Sequence, residues 1–251
     1  MISLRVAQLS LVFIALLLTA CANDNNEISA DARAALQKLA NSVNTFSING
    51  ASASAATSRS KSTSLARSID NTEQESGSDE FGTYTIDMEY FAADATTPIT
   101  SEEALTSDSY VMKITSLFRN DQYESNTSQI STIENIENER IPNYTSTGTG
   151  SVNYYNDNLL LTADSIFVKV NARDGFYLRY EMSFLDHKYS FTLEATLDID
   201  EILEAENETI YLAITSKIYD ADNNHVGYFI LNEDESVVIK DKAGEVIQSA
   251  G

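Results

Sequence analysis

Residues 166–184 read Ile166-Phe-Val-Lys-Val-Asn-Ala-Arg-Asp174-Gly175-Phe176-Tyr-Leu-Arg-Tyr-Glu-Met-Ser-Phe184, and this stretch decides the fold class. Ile166, Val168 and Val170 recur at every second position before Asp174-Gly175; Phe176, Leu178, Tyr180, Met182 and Phe184 do so after it. A period of two puts the apolar side chains on one face of a strand and the polar ones on the other. Asp-Gly accepts positive φ in a tight turn. The stretch is therefore expected to be a β-hairpin that turns at Asp174-Gly175.

The same period runs outward in both directions. Upstream it appears in Tyr84, Ile86, Met88 and Tyr90, and again in Tyr110, Met112, Ile114 and Phe118. Downstream it appears in Tyr189, Phe191, Leu193, Ala195 and Leu197, then in Ile210, Leu212, Ile214 and Ile218. Val226, Tyr228 and Ile230, then Val237 and Ile239, then Val246 complete the series. Asp186-His187-Lys188, Asp222-Asn223-Asn224 and Asp241-Lys242-Ala243-Gly244 supply turns between them. Sequential strands joined by short turns form an antiparallel meander. The expected class is mainly β: a curved sheet, a barrel or a sandwich. Dense charge on the polar faces argues against a transmembrane barrel.

Two stretches break the pattern. Ser128 to Arg140 spaces Ile130, Ile133 and Ile136 three apart, which suits a helical turn. Leu197 to Glu208 reads as a short helix or an acidic crossover. Gly148-Thr149-Gly150-Ser151 follows no parallel βα unit and reads as a loop or a glycine-softened strand start, without the pattern of a phosphate loop.

Before the strands, Asp31 to Phe46 places Ala32, Ala35, Leu36, Leu39, Val43 and Phe46 at spacings of three and four. That is an amphipathic helix, with Ser29 or Asp31 able to cap it. Ser47 to Glu80 is then Ser, Ala, Thr and Asn with almost no large apolar residue. Such a stretch buries too little surface to offset its ordering entropy, so it is expected to be a flexible tether. The expected organisation is a processed segment over 1–20, an N-terminal helix and tether over 21–80, and an acidic β domain over 81–251.

At the start of the chain, Arg5 precedes Leu9-Ser-Leu-Val-Phe-Ile-Ala-Leu-Leu-Leu18, followed by Thr19-Ala20-Cys21. The run from Val6 to Ala20 is short for a membrane-spanning helix, which needs roughly 20 residues. It resembles a bacterial lipoprotein signal peptide ending in a lipobox, Leu18-Thr19-Ala20-Cys21. Cys21 is the single cysteine of 251 residues. The resemblance implies removal of residues 1–20, acyl chains on Cys21, and a cell-envelope address; Ala22 after the cysteine resembles the outer-membrane pattern. Several acyl chains anchor stably where one binds marginally. The membrane, reached through Cys21, is thus the expected partner. A helix followed by a meander in such a protein also resembles the half-barrel lipid carriers of the bacterial envelope, by order of elements alone.

The formal charge is −22 over the chain, and −23 once Arg5 leaves with the signal segment. Residues 81–251 hold ten basic residues against thirty acids. Nucleic acid is excluded as a partner, because phosphate contacts need clustered Lys and Arg. The same charge argues against lying flat on anionic headgroups. With Cys21 acylated, no thiol is left for a disulfide, and stability must come from the core.

Catalytic signatures are absent from the sequence: it has two histidines, His187 and His225, in turns, with no nucleophile elbow, His-Glu-x-x-His or Cys-x-x-Cys. Asp220-Ala-Asp222-Asn-Asn224 resembles the opening of an EF-hand calcium loop, yet His225 stands where glycine is needed and Leu231 where the bidentate Glu is needed. The reading that explains these residues without calcium is an Asn/Asp-rich hairpin turn, so no metal or cofactor is expected. Asp198, Asp200, Glu233 and Asp234 are further turn carboxylates that could join a calcium site. Paired carboxylates can hydrolyse glycans, but with thirty acids any pair carries no signal. Tyr154, Tyr155 and Tyr177 are candidate binding aromatics, with packing as the plainer role. The expected function is binding or scaffolding at the envelope without catalysis. The alternatives are an envelope hydrolase using carboxylates and a carrier enclosing a lipid.

Overall fold

The structure is a computed structural model of the chain, and it describes residues 28–43, 71–78, 82–135, 143–155, 157–171, 175–198, 212–234 and 236–247. Eleven strands appear in chain order: β1 (Thr72–Ser78), β2 (Thr83–Ala92), β3 (Ser109–Arg119), β4 (Tyr123–Glu134), β5 (Asn143–Tyr154), β6 (Leu159–Asn171), β7 (Gly175–Phe184), β8 (Tyr189–Leu197), β9 (Ile214–Asp220), β10 (His225–Leu231) and β11 (Val237–Asp241). They form one sheet in the order β1 to β11, each strand antiparallel to its neighbours. The fold is mainly β, as the alternation requires. Among the described residues no pairing joins β1 to β11, so the sheet is open, neither barrel nor sandwich.

Helix α1 (Ala30–Val43) lies on one face of this sheet. Ser29 caps its start by accepting from the Ala32 amide at 3.1 Å. The helix buries Ala32, Ala35, Leu36, Leu39, Ala40 and Val43, the 3–4 stripe that the sequence displays. Its N-terminal half reaches β11, where Arg33 donates to Asp241 at 3.2 Å. Its C-terminal half reaches the β5–β6 turn, where Ser42 donates to Asp157 at 3.3 Å and Lys38 to the Asn158 carbonyl at 3.0 Å. From Arg33 to Ser42 the helix rises about 14 Å. Five strand spacings in a flat sheet would need about 24 Å. Bending of the sheet toward the helix and the length of the Arg33 side chain make up the difference.

The helix face can be followed strand by strand. Tyr90 pairs with Met112, Met112 with Ser131, Ser131 with Ser146, Ser146 with Val168, Val168 with Leu178, and Leu178 with Ala195. From β6 to β11 this face is apolar and packs with α1 into the main core, which includes Leu159, Ile166, Phe184, Phe191, Ile218, Phe229 and Ile239. A second, small core of Tyr90, Tyr110, Ile133 and Ala104 sits at the far end, with Ala104 supplied by a short helix α2 (Ser101–Thr106). Between the two cores runs a polar seam. Buried Ser131 lies 3.1 Å from the Ser146 hydroxyl, which donates to the Gln129 side chain at 2.9 Å. Each buried hydroxyl in the seam thus has a partner.

Several expectations need correction. Thr72–Ser78, placed in the tether, is strand β1, and the β domain therefore begins before residue 81. Its sequence is polar because an edge strand here buries no large side chain. Ser128 to Glu134 belongs to strand β4, not to a helical turn. Ile130 is half exposed on the open face and Ile133 is buried on the helix face, so a spacing of three in a strand simply splits them. Gly148 and Gly150 lie inside β5, where a β-carbon on Gly148 would come within 2.3 Å of the Ser128 carbonyl oxygen. The hairpin between β6 and β7 forms, but Gly175, with φ 97°, opens β7 and pairs with Asn171, so the chain turns over residues 172–174 and not at Asp174-Gly175. The expected processed segment 1–20 with its lipobox and Cys21, Phe46 at the end of the expected helix, residues 47–70 and 79–80 of the expected tether, Ile136 to Arg140, Asp174, most of the Leu197–Glu208 stretch and Ile210 lie outside the described residues.

Candidate binding groove where two strands part

Strands β8 and β9 pair only at Tyr189 with Asp220 and Ser190 with Tyr219. Beyond these they separate. The Ser216 hydroxyl, on β9, accepts the Thr192 amide at 3.2 Å in place of a ladder bond. The opening is a groove of about 540 Å³ with Met182 and Phe191 among its apolar residues. Its polar lining joins Asp164, Glu181 and Glu194 from β6, β7 and β8 to Thr215, Lys217 and Tyr219 from β9. Nothing in the alternation of β8 and β9 announces the parting, because both strands keep period two to their ends.

The carboxylates of the groove already have partners. Glu181 accepts from Arg179 at 2.8 Å, with both side chains about half exposed, so the pair contributes little stability. Glu194 accepts from the Tyr177 hydroxyl at 2.9 Å. Tyr177, a candidate binding aromatic, also packs against Phe167 with ring centroids 5.8 Å apart. Tyr154 is buried at 2% exposure and packs on Tyr123, which removes it from the binding aromatics, while Tyr155 is exposed.

His187 does acquire a serine. Its Nδ1 lies 2.8 Å from Ser183 Oγ and 3.3 Å from Asp164 Oδ1. In a catalytic triad the hydroxyl and the carboxylate take opposite ring nitrogens, so that a proton passes through the imidazole. Here both share Nδ1, and Ser183 is only 2% exposed. The trio fastens the β7–β8 turn, in which Leu185, Asp186 and His187 all carry positive φ between 53° and 61°. Such a run is costly for side-chain-bearing residues, and the Ser183 contact offsets part of that cost.

His225 opens β10 instead of hanging in solvent. Its ring stands edge-on to Tyr228 at 4.6 Å, and its Nε2 donates to the Gly227 carbonyl at 3.0 Å. Burial lowers its pKa, and the charges of Lys217 and Lys242 lower it further, outweighing the Gly227 hydrogen bond.

The calcium candidates Asp220, Asp222 and Asn224 come together in the β9–β10 turn. One Asp220 oxygen accepts the Asp222 amide at 3.0 Å and the Asn224 amide at 2.8 Å; the other accepts the Asn224 side chain at 3.1 Å. Burial raises the Asp220 pKa, yet the Asn224 and Asp222 hydrogen bonds more than reverse this and leave it below the usual value. The carboxylate caps its own turn. Asp234 does the same for Ser236 in the next turn. Among the described residues no three His, Cys, Asp or Glu side chains are grouped to hold a metal.

No protein-family model, no curated protein and no solved structure matches this chain. Its function has to be argued from its own residues.

Proposed function

We propose that this chain is a lipid-anchored protein of the bacterial cell envelope whose open β sheet binds or scaffolds other envelope components without catalysis. The observation that carries the reading is Leu18-Thr19-Ala20-Cys21, closing an apolar run with the sole cysteine of the chain. No helix among the described residues is long and apolar enough to cross a membrane, so within them no helix offers a second attachment. The Ser183–His187–Asp164 geometry weighs against nucleophilic catalysis, and the engaged Glu181 and Glu194 weigh against a hydrolytic carboxylate pair. A lipid carrier would need an accessible apolar trough. Here Leu36 and Leu39, both fully buried, fill the apolar part of the helix face, so that reading requires α1 to leave.

Expression in a Gram-negative host followed by intact-mass analysis tests the anchor. The expected mass is that of residues 21–251 plus acyl chains, and Cys21→Ser should release the protein from the membrane fraction. An unacylated chain, or a serine variant that partitions like the parent, would refute the reading.

A further inference from the structure

One part of the described surface gathers basic side chains. On the face opposite α1, strands β9, β10 and β11 present Lys217, Tyr228 and Lys240 in one cross-strand row, since Tyr228 pairs with both lysines. Tyr219 and His225 pair beside them, and the charges of Lys217 and Lys242 converge on His225. No carboxylate projects from these three strands on this face; the groove that Lys217 lines also holds Asp164, Glu181 and Glu194, and Asp222 and Glu245 sit in the turns that carry His225 and Lys242. None of the three lysines has a salt-bridge partner among the described residues. Three of the ten basic residues in a domain with thirty acids thus stand together, outside any salt bridge among the described residues, beside two tyrosines.

Helix α1 limits how far this end of the sheet can lie from Cys21. The helix begins at Ala30 and is tied to β11 by Arg33 and Asp241. Ile28 packs against the main core and Ser29 caps the helix, so only residues 22–27 separate the packed chain from Cys21, a reach of about 20 Å fully extended. Along the chain the Ser/Ala-rich stretch follows the helix, so it does not separate the helix from Cys21. Through the Arg33–Asp241 contact, β11 is the strand tied to the end of α1 that follows Cys21 in sequence.

We infer that the β9–β11 face docks on anionic phospholipid headgroups of the bilayer that holds the Cys21 anchor, with Lys217, Lys240 and Lys242 meeting phosphates and Tyr219 and Tyr228 lying at headgroup level. The net charge alone argues against such a contact; here the basic row meets the headgroups while the remaining acidic surface is repelled outward, which orients the domain. The lysines have to outweigh Asp24 and Glu27 in the connecting segment. The inference rests on the anchored reading, and its test separates the two.

Residues 21–251 contain every described element. This chain can be coupled through its one thiol, Cys21, to maleimide-bearing lipid in vesicles, which fixes the attachment whether or not the cell acylates it. Lysine acylation by an amine-reactive ester is then compared in phosphatidylglycerol and phosphatidylcholine vesicles. In the anionic vesicles Lys217, Lys240 and Lys242 should react about threefold more slowly or less, while Lys113 and Lys169 are unchanged, and about 1 M salt should erase the difference. Equal rates at all lysines in both vesicles would overturn the inference. So would protection that appears in phosphatidylcholine and grows with protein density, which would place a second copy on this face.

Discussion

Leu36 on α1 rests directly on Gly227 of β10: a β-carbon at position 227 would lie 2.9 Å from Leu36 Cδ1 and 2.5 Å from the Lys240 carbonyl oxygen. The glycine is needed for approach, not for its backbone angle. It lets a helix side chain sink into the sheet and lets β11 stay in register beside β10. Gly227→Ala should therefore cost about 1–3 kcal/mol by overpacking, read as a lower urea midpoint. An unchanged midpoint would show that α1 does not sit where described.

Leu36→Ala probes the same contact from the other side. Leu36 is fully buried, so a cavity should cost about 2–5 kcal/mol. Leu36→Ala combined with Gly227→Ala should be less damaging than the sum, because each partly makes room for the other. Strict additivity of the two in denaturant titrations would count against a direct contact.

Arg33 and Asp241 are unequal partners. Asp241 is 2% exposed and its carboxylate also accepts the Ala243 and Glu245 amides at 3.0 Å, whereas the Arg33 side chain is 55% exposed. Arg33→Ala should cost no more than about 1 kcal/mol, as exposed pairs do. Asp241→Ala strips three donors at once and should cost about 3 kcal/mol or more. Thermal melts of the two variants would reveal the ranking; a reversed order would mean the carboxylate is not the turn's anchor.

His225 gives stability a pH dependence with a definite sign. Its folded pKa is below the usual 6.5, so the unfolded chain takes up the proton first as pH falls. The stabilising contribution is fully present above about pH 6.5 and is lost as pH drops through the unfolded and then the folded value. His225→Phe should flatten that part of the profile. Lys217→Gln should raise the folded pKa, measurable from the imidazole proton shifts, and a shift in the other direction would contradict the proximity of Lys217.

Calcium should do little. Asp220 already serves the Asp222 and Asn224 amides, so millimolar calcium should move the melting temperature no more than sodium at matched ionic strength. A calcium-specific rise of several degrees that disappears in Asp222→Asn would establish a site in this turn.

What was legible in the sequence follows from where periodicity reports burial. The strands from Phe176 to Leu197 alternate cleanly because one face meets the core, and both their existence and their partners could be read. β5 was illegible because its helix-face residues are Ser146, Gly148 and Gly150 in the polar seam, which leave no hydrophobic alternation. β1 was lost for the same reason at an edge. The candidate groove was hidden more deeply. It arises from where β8 and β9 stop pairing, a property of two strands together and not of either alone. His187 looked like a bare turn residue because Ser183 approaches it only once the turn adopts three left-handed conformations in succession.

An unclosed sheet has two ends, and each is a template on which another chain could continue the ladder. Among the described residues no strand pairs with the outer side of β1, whose sequence is Thr-Glu-Gln-Glu-Ser-Gly-Ser. Glu73 and Glu75 would face like charges on an approaching copy, and the short, side-chain-poor strand offers it no apolar surface. The other end is shielded differently: the chain doubles back so that Val246 bridges Lys240, and α1 overhangs β11. Molecules crowded at high density on a surface would meet edge to edge constantly. The acidity of this edge thus weighs against ladder growth from a wide, open sheet.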